Sequence, residues 1–109
     1  LYSFIEGGVC MNHDECKTYI KNSLLEIRKL ANIYTLETFK KELEKRNIYL
    51  ETKSDKYFSS EGEDYIYKLI ENNKIIYSIS GKKLTYKGKK SFSKHAILKQ
   101  LNEKANQVN

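Results

Sequence analysis

The first part of the chain repeats apolar residues every three or four positions, which is the spacing of amphipathic helices. Asn12, followed three residues later by Glu15, has the arrangement of a capping box, so a helix is predicted to begin there and to end near Ala31. Its apolar stripe comprises Cys16, Tyr19, Ile20, Ser23, Leu24, Ile27 and Leu30. Thr35 is the next candidate cap, and a second, shorter helix is predicted to end near Arg46. Together the two helices are predicted to form an α-hairpin.

After Asn47, a residue that tolerates the left-handed backbone at a helix end, the apolar period changes to two. The alternation predicts one strand over residues 48–52 and another over residues 65–70. Residues 71–74 contain two asparagines, which accept positive φ, so they predict a tight turn into a third strand over residues 75–79. This part of the chain is therefore predicted to form an antiparallel sheet.

The last third of the chain combines turn residues with a final helical pattern. Residues 82–86 are predicted to form a further short strand, and Gly88 a turn. Ser91 or Ser93 is predicted to cap a last helix, whose tail at residues 106–109 is expected to fray. The apolar face of this helix comprises Phe92, Ala96, Ile97, Leu101 and Ala105. The predicted fold class is α+β, with an N-terminal α-hairpin, a small antiparallel sheet of three to four strands and a C-terminal helix.

The length and composition favour a single domain. A chain of 109 residues, of which 39% are hydrophobic, is long enough for one core and too short for two. Residues 1–109 are therefore predicted to be one domain, and the start at Leu1 rather than Met leads us to expect a fragment of a longer protein. No apolar run approaches the roughly 20 residues of a membrane span, so no membrane partner is expected. Two cysteines are too few for a disulfide framework, which favours a cytoplasmic location.

The net charge of +6 is distributed unevenly along the chain. No acidic residue lies between Glu71 and Glu103, and residues 72–102 are called the Lys-rich segment below. This segment holds eight of the 20 basic residues and none of the 14 acidic ones. Such a positive field attracts polyanions, because each neutralised phosphate releases counterions. The alternative is a solvated face without a ligand, but the interleaved Tyr86 and Gly88 favour binding, since neither residue is needed for solubility.

Residues suited to catalysis or metal binding are few. Cys10, His13 and Cys16 carry the groups that zinc prefers, but a structural site needs a fourth ligand, and the only other histidine is His95. Metal ligation, a disulfide and plain structural cysteines are the three alternatives, of which the last is favoured because Cys16 lies on the apolar stripe. Neither histidine has a recognisable catalytic partner, and no phosphate-binding glycine loop is present. No catalytic residue, cofactor or enzymatic activity is therefore predicted.

Four stretches of the chain follow one another in an order that is known from another family. They are TFKKELEKRNI at 38–48, YIYKL at 65–69, SGKKL at 80–84 and FSKHAI at 92–97. Their order, a helix with an F…L…GI segment, a β-hairpin, a G-x-K-L step and a closing helix, resembles the region that follows the nuclease domain in plasmid mobilisation relaxases. The resemblance covers about 80 residues from Ser23 to Leu101. The chain departs from the pattern at Asn47, where Gly is usual, and in a longer loop at residues 54–63.

The resemblance implies an accessory module that contacts DNA, rather than RNA, near a transfer origin. Relaxases nick DNA with an N-terminal tyrosine and a metal held by a His-x-His cluster, and this sequence has no such cluster. The predicted function is binding of the phosphate backbone, with Tyr86 as a stacking side chain. The residues predicted to bind are Lys82, Lys83, Tyr86, Lys87, Lys89, Lys90, Lys94 and Lys99. The alternative hypothesis is a small phage- or plasmid-encoded protein whose partner is a host nucleic-acid enzyme that it binds and inhibits.

Overall fold

A computed structural model describes residues 12–54 and 63–108 as a two-layer α+β structure, which confirms the predicted fold class. The elements in chain order are helix α1 (His13–Arg28), helix α2 (Leu36–Lys45), strand β1 (Ile48–Ser54), strand β2 (Glu63–Glu71), strand β3 (Lys74–Ser80), a 3-10 turn (Gly81–Lys83) and helix α3 (Lys94–Val108). No helix within the described ranges is both long enough and apolar enough to cross a membrane.

The two N-terminal helices begin at the caps that the sequence predicted. The Asn12 side chain accepts a hydrogen bond from the Glu15 backbone N–H at 2.8 Å. Thr35 and Thr38 form a reciprocal capping box at the start of α2. Helix α1 ends at Arg28, three residues earlier than expected, because the following N–H groups turn to the tighter i→i−3 pattern.

The α-hairpin is held together around the end of α2. The Tyr19 hydroxyl of α1 donates to the Arg46 carbonyl at 2.8 Å, and the Arg46 guanidinium donates to the Glu26 carboxylate at 2.6 Å. This hydrogen bond from Arg46 lowers the pKa of Glu26 below its ordinary value. Asn47 then reverses the chain into β1 with φ of 64°, the left-handed conformation expected at this position.

The sheet has the order β1-β2-β3, and both strand pairs are antiparallel. Asn72 and Asn73 connect β2 to β3 with φ values of 51° and 61°, so both central residues of the hairpin turn are left-handed, as the sequence predicted. The register places Leu50 opposite Tyr67, and Tyr67 opposite Ile79. These three residues therefore lie on one face of the sheet, because side chains directly opposite each other share a face.

The hydrophobic core lies between this face and the three helices. Its largest fully buried side chains are Tyr65, Tyr67, Phe92, Ile20, Leu24, Ile27, Leu43, Ile48, Leu69, Leu84 and Cys16. The alternate residues of the strands point away from the helices, and Tyr49, Glu51 and Lys53 of β1 are exposed. We call this second surface the outer face of the sheet. Burial on one face alone explains the period-two pattern of the strand sequences.

The predicted short strand at residues 82–86 is wrong. Residues 81–83 form a 3-10 turn, and the only pairing that follows within the described chain is an isolated bridge between Tyr86 and Lys89 around a turn. Two residues of β2 hold the loop between β3 and α3, residues 81–93. The Asp64 carboxylate accepts the Lys82 N–H, and the Tyr67 hydroxyl donates to the Phe92 carbonyl. The Lys82 N–H is therefore bonded to a side chain of β2, and the Leu84 N–H closes the turn on the Gly81 carbonyl.

Gly81 allows the loop to return close to the sheet. A Cβ atom at this position would overlap the Phe92 carbonyl oxygen and lie 2.9 Å from the Ser93 Cα. Gly88, with φ of 74°, forms the predicted turn between Tyr86 and Lys89. The end of β3 at Ser80 is therefore followed by a close contact between two backbone segments.

Helix α3 begins and ends with contacts to other elements. The Ser93 hydroxyl accepts the Ala96 N–H, and the Asp64 carboxylate accepts the Lys94 N–H, so the predicted Ser93 cap is joined by a second, distant acceptor. Toward its C-terminus, the Lys104 ammonium donates to three backbone carbonyls at 3.0–3.1 Å, those of Ile27, Leu30 and Ile33. The helix continues to Val108, beyond the point where fraying was expected.

Candidate nucleic-acid interface

The Lys-rich segment runs from β3 through the 3-10 turn and the Gly88 turn to α3. Asp64 fixes the middle of this path at two points, because its carboxylate, only 7% exposed, accepts N–H groups from Lys82 at 2.9 Å and Lys94 at 3.2 Å. The loop between these two bonds carries most of the predicted binding residues. Its backbone position is therefore set by a buried side chain of the central strand.

Nearly all lysines of the segment reach solvent. The exposed ones are Lys74, Lys82, Lys83, Lys87, Lys89, Lys90 and Lys99. Lys94 is half-buried at the start of α3, where its backbone is bonded to Asp64. The structure gathers these side chains into two basic surfaces rather than one continuous surface, and each surface includes cations from outside the segment.

The first basic surface is a groove between residues 89–91 and α3, with a volume of about 330 Å³. Lys89 and Lys90 lie on the loop side, and Lys99 lies on α3. Arg28, the last residue of α1, completes the set of four cations, and Glu103 is the one carboxylate of the described lining. We call this surface the α3 groove. Its excess of positive charge makes it suitable for a phosphate backbone.

The second basic surface is an open depression of about 920 Å³ over the outer face of the sheet. Lys82 and Lys83 reach it from the 3-10 turn, while Lys53 and Lys68 rise from β1 and β2. The Lys68 ammonium is paired with the Glu51 carboxylate of the neighbouring strand. We call this surface the sheet depression.

Charge pairing leaves several lysines available to a ligand. In the part of the chain that the structure describes, no carboxylate lies within ion-pair distance of Lys83, Lys87, Lys89, Lys90 or Lys99. The described ion pairs instead lie on the α-hairpin and between β1 and β2. The carboxylates of the α-hairpin therefore do not neutralise the Lys-rich segment.

Tyr86, the predicted stacking residue, is half-buried and packs against the hydrophobic core. The Lys87 ammonium lies 5.3 Å from the centroid of its ring, within the range of a cation–π contact. The ring therefore contributes to the packing of the Gly88 turn and helps to place Lys87. Its role in stacking on a base stays a prediction.

The cysteine and histidine cluster is only partly described, since Cys10 lies outside the described residues. Cys16 is 1% exposed in the core, and burial, with smaller contributions from Glu15 and Glu71, raises the pKa of its thiol. His13 is exposed, and its ring centroid lies 5.5 Å from that of Tyr77. Among residues 12–54 and 63–108, no three His, Cys, Asp or Glu side chains are grouped so as to hold a metal ion.

The sequence pattern missed three cations of the two basic surfaces. Arg28, Lys53 and Lys68 lie outside the Lys-rich segment, and they join its lysines only through folding. Strand alternation places Lys53 on the same face as Lys68. The 3-10 turn that carries Lys82 lies near both lysines only because of the order of the strands. Charge counting along the chain contains no such information.

Comparisons with known proteins give no relative for this chain: no family model, no curated protein and no solved structure matches it. The class that the structure defines is a small α+β domain with two basic surfaces.

Proposed function

We propose that this domain is a nucleic-acid-binding accessory module of a relaxase-like mobile-element protein, located in the cytoplasm, and that it binds the phosphate backbone, DNA rather than RNA, through its Lys-rich segment. The observation that carries the proposal is the α3 groove, where Arg28, Lys89, Lys90 and Lys99 face one carboxylate. The resemblance of residues 23–101 to the region after a relaxase nuclease domain supports the choice of DNA.

The charge arrangement favours a long polyanion over a small one. The two basic surfaces share the path of one chain segment, and the exposed Lys87 lies between their lysines in sequence. At either surface, an extended backbone contacts several cations at once, and each neutralised phosphate adds to the affinity by counterion release. A ligand with a single phosphate or carboxylate contacts only one of the two surfaces, so it binds with lower affinity.

Fluorescence anisotropy with a labelled duplex of about 20 base pairs tests the proposal at two or more salt concentrations. Wild type is expected to bind with a log-affinity slope of about −3 or steeper, because each phosphate contact contributes about −0.9. Replacing Lys89, Lys90 and Lys99 by Gln is expected to flatten the slope by about 2 to 3 and to weaken binding.

The matched control is a variant with Gln at Lys40, Lys41 and Lys45, three exposed lysines of α2. It loses the same charge from a different element, so it corrects for the change in net charge. If both triple variants bind as wild type does, the α3 groove is not the site. If wild type does not bind the duplex, a single strand or an RNA of equal length at low salt, the proposed function is wrong.

A further inference from the structure

The outer face of the sheet carries one aromatic ring with an unusual exposure. Tyr49 of β1 is 50% exposed, whereas Tyr65 and Tyr67 of β2 are 1% and 0% exposed. The difference follows from the alternation of the strands, because Tyr49 lies between the buried residues Ile48 and Leu50 and so points to the opposite face.

The register places Tyr49 beside the sheet depression. Its Cα partner on β2 is Lys68, and its neighbour on the same face of β1 is Glu51, both of which line the depression. The floor is continued by Ile66 and Ser78, which are short or apolar. The ring of Tyr49 therefore lies on the outer face next to the paired Lys68 and Glu51, and the apolar and small residues Ile66 and Ser78 and the lysines of the depression follow on the same face.

The charges of this surface are complementary to a polyanion. Of the two carboxylates that line the depression, Glu51 is paired with Lys68, and Asp64 accepts two backbone N–H groups. Lys53 and Lys83 have no carboxylate within ion-pair distance among the described residues. The rim therefore presents positive charge, while the ring of Tyr49 offers a π face to a planar group.

We propose that the outer face of the sheet binds single-stranded nucleic acid, with a base stacked on Tyr49 and the backbone phosphates contacted by Lys53, Lys82 and Lys83. This inference rests on the proposed function and deepens it, because it names an unpaired strand as the ligand of the sheet depression. Bases of a duplex are stacked on one another and cannot reach a flat sheet, whereas a single strand turns its bases outward. The α3 groove, which has no exposed ring in its lining, then serves the backbone alone.

The decisive probes are a labelled 15-nucleotide oligothymidine and an abasic strand with the same number of phosphates. Tyr49→Ala is expected to weaken binding of oligothymidine about tenfold and to leave binding of the abasic strand unchanged, because only the former offers a base to stack. Tyr49→Phe, which keeps the ring, is expected to bind as wild type does. Replacing Lys53 and Lys83 by Gln is expected to weaken both probes and to flatten the salt slope by about 1 to 2.

Tyr34→Ala is the matched control, since Tyr34 is also an exposed tyrosine, at 36%, but lies between the two N-terminal helices. The inference is overturned if Tyr49→Ala and Tyr34→Ala bind oligothymidine equally, or if poly-glutamate competes as well as oligothymidine, which indicates an acidic protein as the ligand. Failure of the proposed function is a different result, in which wild type binds neither strand and no duplex. If wild type binds the duplex and Tyr49→Ala binds oligothymidine as wild type does, the site on the sheet is overturned and the proposed function is not.

Discussion

Asp64 holds the loop of the Lys-rich segment against the sheet, and replacing this residue is a sharp test of the fold. The carboxylate accepts N–H groups at 2.9 and 3.2 Å from two residues that are twelve positions apart, Lys82 and Lys94. It therefore joins the central strand to the 3-10 turn and to the first turn of α3. The Tyr67 hydroxyl, which donates to the Phe92 carbonyl, is a second link from β2 to the same loop.

The magnitude follows from the type of hydrogen bond. A bond to a charged group contributes about 1.5–3 kcal/mol, so Asp64→Ala, which removes both bonds, is expected to lower the free energy of unfolding by about 3–6 kcal/mol. Asp64→Asn keeps one carbonyl oxygen as an acceptor, so it is expected to cost about 1–3 kcal/mol. Against a total of about 5–15 kcal/mol for a domain, the alanine variant is expected to be marginally folded.

Urea unfolding followed by circular dichroism measures both losses. Glu44→Ala, on the exposed side of α2, is the control and is expected to change the free energy of unfolding by about 0.5 kcal/mol or less. In hydrogen exchange, the amides of Lys82 and Lys94 are expected to lose protection in Asp64→Asn before those of β2 do. If Asp64→Ala costs no more than the Glu44 control, the carboxylate does not hold the loop and this reasoning is refuted.

Two further predictions concern the packing of the loop and of α3. Burial, with smaller contributions from Asp64 and Tyr65, raises the pKa of the Tyr67 hydroxyl well above its ordinary value, so the folded state keeps a proton that the unfolded chain loses. Stability is therefore expected to be constant with respect to this group below about pH 10 and to fall above it by up to about 1.4 kcal/mol per pH unit. Tyr67→Phe is expected to make this alkaline fall in stability less steep, and to cost about 1–3 kcal/mol at neutral pH because the Phe92 carbonyl loses its donor. Equal alkaline slopes in urea unfolding of the two proteins contradict this prediction. Lys104→Met keeps the aliphatic stem but removes the ammonium donor of three carbonyls at and after the end of α1. The carbonyls of Ile27 and Leu30 keep a backbone donor, so the loss is expected to be moderate. In thermal and urea unfolding, Lys104→Met is expected to lower the free energy of unfolding by about 1–2 kcal/mol, whereas Lys40→Met on α2 is expected to change it by almost nothing. If the two variants lose the same free energy, Lys104 does not cap the end of α1.

The parts of the fold that were predictable are those encoded by neighbours in sequence. The caps at Asn12 and Thr35 and the left-handed residues Asn47, Asn72 and Asn73 each act on a backbone only a few positions away. The alternation of apolar and polar residues along β1 and β2 likewise indicates which side chains face the core and which face solvent. For these features, local chemistry and the final fold agree.

The features that were not predictable depend on residues that meet only after folding. Residues 82–86 were predicted as a short strand, but residues 81–83 form a 3-10 turn in which the Lys82 N–H is bonded to Asp64, eighteen positions earlier. The end of α1 is likewise covered by Lys104 from the far end of the chain. Neither contact leaves a periodic or compositional signal in the sequence.

In the candidate site, too, some features were predictable from the sequence and others depend on the fold. Charge segregation in the sequence identified Lys89, Lys90 and Lys99, which the structure places in one groove. It did not indicate that Lys82 and Lys83 lie at a different surface, nor that Arg28 belongs with the first group. A run of charge along a chain gives the sign of a surface, and the fold alone gives its shape.

The salt dependence of duplex binding, compared between wild type and the variant with Gln at Lys89, Lys90 and Lys99, tests the central claim most directly. A steep wild-type slope that becomes flatter by about 2 to 3 in the variant, with no such change in the α2 control, is the predicted result. A wild-type slope near zero, or a slope that the groove substitutions leave unchanged, contradicts the account.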